Sequence, residues 1–190
     1  MKIKKPVLIV LGEPNSIFVE ILSKTLMHKG IRKKINYPIF LIGSKKLVLA
    51  QLKYLKKNID LTILEKNKNN LNKLKNKIYL INVNYRFKKP FEKVSTKSKG
   101  YISKCFEIAF ELLNSKKSDV LINGPIDKKY FLRGEFPGIT EYVYKKSKNK
   151  ISKKSVMLIF NKLLSVSPVT THISLKDVSK NIKKNTIINN

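Results

Sequence analysis

Residues 6–14 read Pro-Val-Leu-Ile-Val-Leu-Gly-Glu-Pro, an unbroken apolar run to Leu11 that stops at Gly12-Glu13-Pro14. A short run without polar alternation fits a strand covered on both faces, as in a parallel sheet, and the Gly and Pro mark the turn that ends it. A helix is expected next. Asn15 or Ser16 can cap it, Ile17, Phe18, Ile21, Leu22 and Leu26 recur at helical spacing, and Gly30 is the expected stop. A strand over 38–42, a helix from Ser44 to about Leu55 and a strand over 61–64 continue the pattern, which is βαβ grammar.

Farther along, residues 66–77 (KNKNNLNKLKNK) are rich in Lys and Asn and read as a surface loop. A strand follows over 78–83, then a long helix over 98–114 with an apolar stripe of Ile102, Cys105, Phe106, Ala109, Leu112 and Leu113. Residues 119–123 (DVLIN) read as another buried strand, broken by Gly124-Pro125. A helix over 140–146 is expected, then a hairpin of strands 156–160 and 163–166 closed by Thr170-Thr171-His172, and a helix that starts at Leu175 and dissolves into polar residues. No internal repeat is visible. The whole, 1–190, reads as a single α/β unit with a mostly parallel sheet flanked by helices.

The chain has 190 residues, with Lys+Arg 41 against Asp+Glu 12, a formal charge of +29. Such a balance raises the question of nucleic acid. Only Arg32, Arg86 and Arg133 are arginines, alanine occurs only at Ala50 and Ala109, and Lys, Asn and Ile recur throughout. That is the composition an A+T-rich genome writes. A site for phosphate or base recognition is expected to favour Arg, with its bidentate fork, and no aromatic residues interleave with the lysines as a stacking platform requires. No specific nucleic-acid partner is therefore expected. No run approaches the roughly 20 apolar residues that cross a bilayer, and the start lacks a cleavage-site pattern, so a cytoplasmic protein without a membrane partner is expected. A single Cys105 on an apolar helix face reads as a core residue in a reducing compartment.

Candidate sites are few. Neither GxGxxG nor GxxxxGK[ST] occurs, and His28 and His172 are the two histidines, too few for a three-histidine metal site within the chain. His28 falls in the last turn of the first helix, where a positive charge complements the helix end. His172 follows an expected strand end beside two hydroxyl residues and reads equally as structural or as a metal ligand. Lys128, after Gly124-Pro125, is either part of a turn and helix start or a charge aimed at an anion over a helix N-terminus. Thr140 reads as the cap of its helix.

Four segments in order, LGEPNSI (11–17), INGPIDKKYF (122–131), FPGITEY (136–142) and SPVTTHISLKDV (167–178), resemble the 4-hydroxythreonine-4-phosphate dehydrogenase family of pyridoxine biosynthesis. The resemblance covers nearly the whole chain. It implies an isocitrate/isopropylmalate-dehydrogenase-like α/β fold, incomplete at the C-terminus because the family continues well beyond Asn190. It also implies NAD-dependent (or NADP-dependent), metal-assisted oxidation of 4-phosphooxy-threonine to 2-amino-3-oxo-4-phosphooxybutanoate, followed by decarboxylation, in pyridoxal phosphate biosynthesis. The divalent ion would be Zn, Mg or Co, and the complete enzyme a homodimer.

By the same resemblance His172 is a metal ligand, while Thr140 and Lys128 meet the phosphorylated substrate. The chain departs from the family pattern at Ile139, where the family has a substrate-contacting histidine, and at Ser16-Ile17-Phe18-Val19, where it has Gly-Ile-Gly-Pro. The other family metal histidines and much of its NAD site fall beyond Asn190. Alternatives are a truncated non-catalytic domain, a related phospho-sugar-acid dehydrogenase and a basic nucleic-acid-binding protein.

Overall fold

The computed structural model describes residues 4–64, 77–147 and 156–188, and its contacts divide the chain into two compact units, Met1–Ser147 and Lys148–Asn190. The 66–77 loop expected from composition lies, except for Lys77, outside the described residues.

In the first unit five parallel strands form one sheet in the order β3-β4-β2-β1-β5. They are β1 (Val7–Val10), β2 (Ile39–Gly43), β3 (Thr62–Leu64), β4 (Ile78–Asn82) and β5 (Val120–Asn123). The expected continuous apolar runs arise because alternate side chains enter different layers. Leu8, Val10, Phe40, Ile42 and Tyr79 face helix α4 (Ser98–Asn114), which contributes Ile102, Cys105, Phe106 and Ala109. Ile9, Leu11, Ile39, Leu41 and Leu80 face the other way, onto α1 (Phe18–Met27) and α3 (Lys45–Tyr54), through Val19, Leu22, Leu26, Val48 and Leu52. The result is three layers with the sheet in the middle.

Several expectations are corrected here. Helix α1 ends at Met27 rather than at Gly30, which sits inside a short helix α2 (Lys29–Lys34). His28 joins the two. Its Nδ1 accepts a hydrogen bond from the Ile31 N–H at 3.3 Å, so it caps the start of α2 rather than placing a cation at the end of α1. The apolar stripe of α1 is rotated, with Val19 buried and Ile17 and Ile21 exposed. Strand β5 is not buried on both faces: among the described residues it is the sheet edge, paired only with β1, and Val120 and Ile122 are each nearly half exposed. The expected α3 and α4 stand, with Ser44 Oγ accepting from the Leu47 N–H at 3.3 Å as the cap of α3.

Beyond β5 the chain makes one wide turn over Lys128–Leu132, in which the Arg133 N–H reaches back five residues to the Lys128 carbonyl at 3.2 Å. Helix α5 (Ile139–Lys146) follows. Both are held against α4 by an aromatic cluster: the Tyr142 ring lies 5.4 Å from Phe106, 5.0 Å from Phe131 and 5.3 Å from Phe136 in edge-on geometries.

The second unit contains a two-stranded antiparallel ladder, β6 (Ile159–Phe160) with β7 (Ser165–Val166), then a single 3-10 turn over Leu175–Asp177 and short helices α6 (Val178–Asn181) and α7 (Lys184–Ile188). The hairpin expected over 156–166 is present but shorter, closed by the Asn161 N–H on the Leu164 carbonyl at 3.0 Å. None of the described residues of this unit is buried, and Phe160, Leu163 and Leu175 are among its most exposed apolar side chains. Among the described residues no helix is long and apolar enough to cross a membrane.

Candidate functional site

Strand β1 leads through α1 toward β2, while β5 lies on the opposite flank of β1 and is reached from β4 through α4. The carboxyl ends of β1 and β5 are therefore a place where the winding direction reverses, and open α/β sheets form their crevices at such points. Here the two loops come into backbone contact. Gly12, at φ +73°, has no room for a Cβ, which would fall 2.5 Å from the Pro125 carbonyl oxygen, and a Cβ on Gly124 would collide with the Leu11 carbonyl. The Glu13 N–H donates to the Pro125 carbonyl at 2.9 Å and the Gly124 N–H to the Val10 carbonyl at 2.7 Å.

Beside this junction opens a cleft of about 410 Å³ lined by Phe18, Asn123, Gly124, Pro125, Lys128 and Ile139, among others. Its wall is apolar apart from the asparagine, the exposed backbone and the Lys128 chain. Lys128 is the first residue of the wide turn, whose start is fixed by Asp127: the Tyr130 N–H donates to Asp127 Oδ1 at 2.9 Å. Thr140 is in the first turn of α5, exposed, directly after the cleft-lining Ile139. It is not the cap, as expected from sequence; Gly138 precedes the helix and its carbonyl accepts from the Tyr142 N–H at 3.2 Å. Lys128 and Ile139 thus line one cleft, while Thr140, the next residue of α5, is not among its lining residues.

His172 belongs to the second unit. It lies six residues past the end of β7 rather than at its end, in an irregular stretch, with φ at +58°. A non-glycine residue in that left-handed region is uncommon, and histidine tolerates it better than most. Among the described residues no group of three or more His, Cys, Asp or Glu side chains is gathered closely enough to hold a metal ion. Among the described residues the donors therefore do not fit a complete metal centre, and His28 is engaged as a helix cap.

Sequence reasoning missed Glu13. It is 6% exposed, and its Oε2 is buried with no hydrogen-bond partner. Burial pushes its pKa above the usual carboxylate value, with the nearby Asp127 charge adding to the rise. The signal was available, since a charged residue between Gly12 and Pro14 at the end of a buried strand has nowhere dry to go without partners.

Comparison with known proteins now adds to this geometry. Residues 34–190 match the family model described as pyridoxal phosphate biosynthetic protein PdxA. A 4-hydroxythreonine-4-phosphate dehydrogenase of Sulfurihydrogenibium sp. (strain YO3AOP1) is 39% identical over 184 residues, covering 95% of this chain and 53% of that protein. Two crystal structures with the same enzyme name share the fold. That from Burkholderia phymatum aligns at a TM-score of 0.77 with 20% identity over 98% of this chain and 56% of the other. That from Klebsiella pneumoniae aligns at 0.74 with 19% identity over 97% and 55%. The chain spans about half the length of these relatives. With a family model covering most of its length, the chain belongs to the PdxA family of pyridoxal phosphate biosynthesis, as its four ordered segments anticipate.

Proposed function

We propose that this chain is the amino-terminal part of an NAD-dependent 4-hydroxythreonine-4-phosphate dehydrogenase and that its task is to hold the phosphorylated end of 4-phosphooxy-threonine. The observation that carries this reading is the cleft at the β1/β5 strand ends, where Lys128 and Ile139, the first residue of α5, line a mostly apolar wall and Thr140 follows Ile139. Lys128 supplies a full positive charge for a phosphate dianion, and the Thr140 hydroxyl supplies one donor to a substrate oxygen. Ile139 offers neither.

Within this reading His172 is one ligand of a divalent ion whose remaining ligands come from outside this chain, in a cytoplasmic, homodimeric enzyme whose nicotinamide site is also completed elsewhere. The chain's own chemistry is then binding and orientation. Alone it takes up the substrate but does not turn it over.

The test is a titration followed by NMR on the methyl signals of Ile126 and Ile139. 4-Phosphooxy-threonine is expected to bind at least about tenfold more tightly than threonine, the loss of one charge-assisted contact being worth about 1.5–3 kcal/mol. Equal binding of the two ligands sinks the reading. So does NADH production by the 190-residue chain alone, because it shows that nothing was missing.

A further inference from the structure

We infer that a second groove, beside β3 at the far edge of the sheet, binds a small aliphatic carboxylate. Strand β3 ends at Leu64, opposite Ile81, so among the described residues Asn82 and Val83 run on past it with no strand neighbour on that side. The step opens a groove of about 430 Å³ between β3, the end of β4 and α4, lined by Ile63, Leu64, Asn82, Asn84, Lys104 and Ile108, among others. None of these residues lines the β1/β5 cleft.

Hydrogen bonds fix the direction of the polar groups in this groove. The Lys45 N–H can only donate, and it reaches Asn82 Oδ1 at 2.9 Å, so the Asn82 amide turns its oxygen to α3 and its nitrogen the other way. That nitrogen donates to Asn84 Oδ1 at 3.0 Å. Both amide oxygens are therefore engaged, and the relay ends on the Asn84 amide nitrogen, which has no acceptor among the described residues. The backbone around it is anchored: the Val83 N–H donates to the Gly43 carbonyl at 2.9 Å, and the Tyr85 ring lies 4.8 Å from the Tyr101 ring. Lys104 lines the groove from α4 and belongs to none of the ion pairs among the described residues. The groups left open are thus N–H donors and one ammonium, above the apolar side chains of Ile63, Leu64 and Ile108. A cation finds no open partner there, and a neutral molecule leaves the ammonium unanswered. One ammonium balances a single negative charge, a planar carboxylate offers two acceptor oxygens to Lys104 and Asn84, and an aliphatic tail covers the apolar wall.

The experiment titrates the 190-residue chain with hexanoate, hexanol and acetate and follows the methyl signals of Ile63 and Ile108. Hexanoate is expected to bind at least about tenfold more tightly than hexanol, which lacks the charge, and than acetate, which lacks the tail. Lys104→Met and Asn84→Ala, both at exposed positions, are each expected to weaken hexanoate by about fivefold or more. Asn82→Asp still accepts from the Lys45 N–H but cannot donate onward, so the Asn84 amide turns round and offers the groove its oxygen. It is expected to cost at least as much as Asn84→Ala with Asn84 itself intact. Hexanol binding as well as hexanoate overturns the inference, as does an unchanged affinity in Lys104→Met or in Asn84→Ala. Acetate binding as well as hexanoate overturns it too, because attraction to the +29 surface then explains the signal without a groove. Parent-like binding by Asn82→Asp removes the relay as its basis; should that variant fail to fold, Asn84→Ala decides.

Discussion

The Tyr101 hydroxyl, in the first turn of α4, accepts a hydrogen bond at 3.0 Å from the backbone N–H of Ser44, the cap of α3 on the other side of the sheet. It reaches that N–H past Gly43, where a Cβ would lie 2.9 Å from the hydroxyl. Tyr101→Phe leaves a buried N–H without an acceptor and is expected to cost about 1–3 kcal/mol, read as a lower urea midpoint at unchanged slope. A loss below about 0.5 kcal/mol means the N–H finds another acceptor.

Cys105 is expected to be inert. It is buried beside Tyr101, and burial pushes its thiol up to about 12, with the Tyr101 hydrogen bond only partly opposing the rise. Thiolate is the reactive form, so alkylation of the native chain at pH 8 should run at least about 1,000-fold slower than in denaturant. Fast labelling of the folded protein contradicts the packing of α4 described above.

The stability of the fold should depend on pH through Glu13. Its folded pKa lies above the ordinary 4.5, chiefly through burial, and the titratable groups facing it are Asp127 from the β5 loop and Tyr85 from the loop after β4. A raised carboxyl pKa means the folded state prefers the proton. The contribution is present below 4.5 and is lost as pH rises through the folded value. Glu13→Gln cannot lose that proton. Its melting temperature relative to the parent should therefore climb between pH 4.5 and pH 8, and parallel profiles for the two proteins remove Glu13 as the cause.

His172 and Thr140 should separate in an enzyme completed by the half that the relatives carry. His172→Ala is expected to lower metal affinity by about 100-fold and turnover with it, whereas Thr140→Val raises KM by about three- to tenfold at unchanged metal content. Metal analysis beside steady-state kinetics distinguishes them. Full metal occupancy in His172→Ala makes His172 a structural residue with an unusual backbone angle.

Despite the charge of +29, duplex DNAs of unrelated sequence should bind equally well, and weakly, with log K falling steeply and linearly against log salt. No described lysine is buried, and the ion pairs of Lys5 with Asp119 and Lys99 with Glu135 sit at the surface, as expected of charge spread over solvated faces. Tight binding of one sequence at physiological salt overturns this.

How far the sequence reached depended on how local the determinant was. The strand at Val7–Val10, the helix starting near Ser44 and the whole of α4 were legible because an apolar period lies within a few residues. The exposure of β5 was not, because an edge strand and a central one carry the same Val, Leu and Ile, and only pairing order tells them apart. The family motifs pointed to Lys128 and Thr140, and the cleft that Lys128 shares with Ile139 came from tertiary contacts around Tyr142. Glu13 could have been flagged by its place at the end of a buried strand, but the Asp127 charge that faces it is far away in sequence.

The meeting of Gly12 with Gly124 also limits how this gene can change. Every single-base change that puts another amino acid in place of glycine adds a Cβ, and the first two guanines of such codons are what an A+T-drifting genome wears away; seven glycines remain in 190 residues. At these two positions the added carbon meets backbone of the opposite loop, which cannot swing aside as a side chain can. Neither codon is open to replacement while the other loop stays where it is. The two behave as one heritable unit, and a lineage that lost either would have to rebuild the β1/β5 crevice before it could use the substitution.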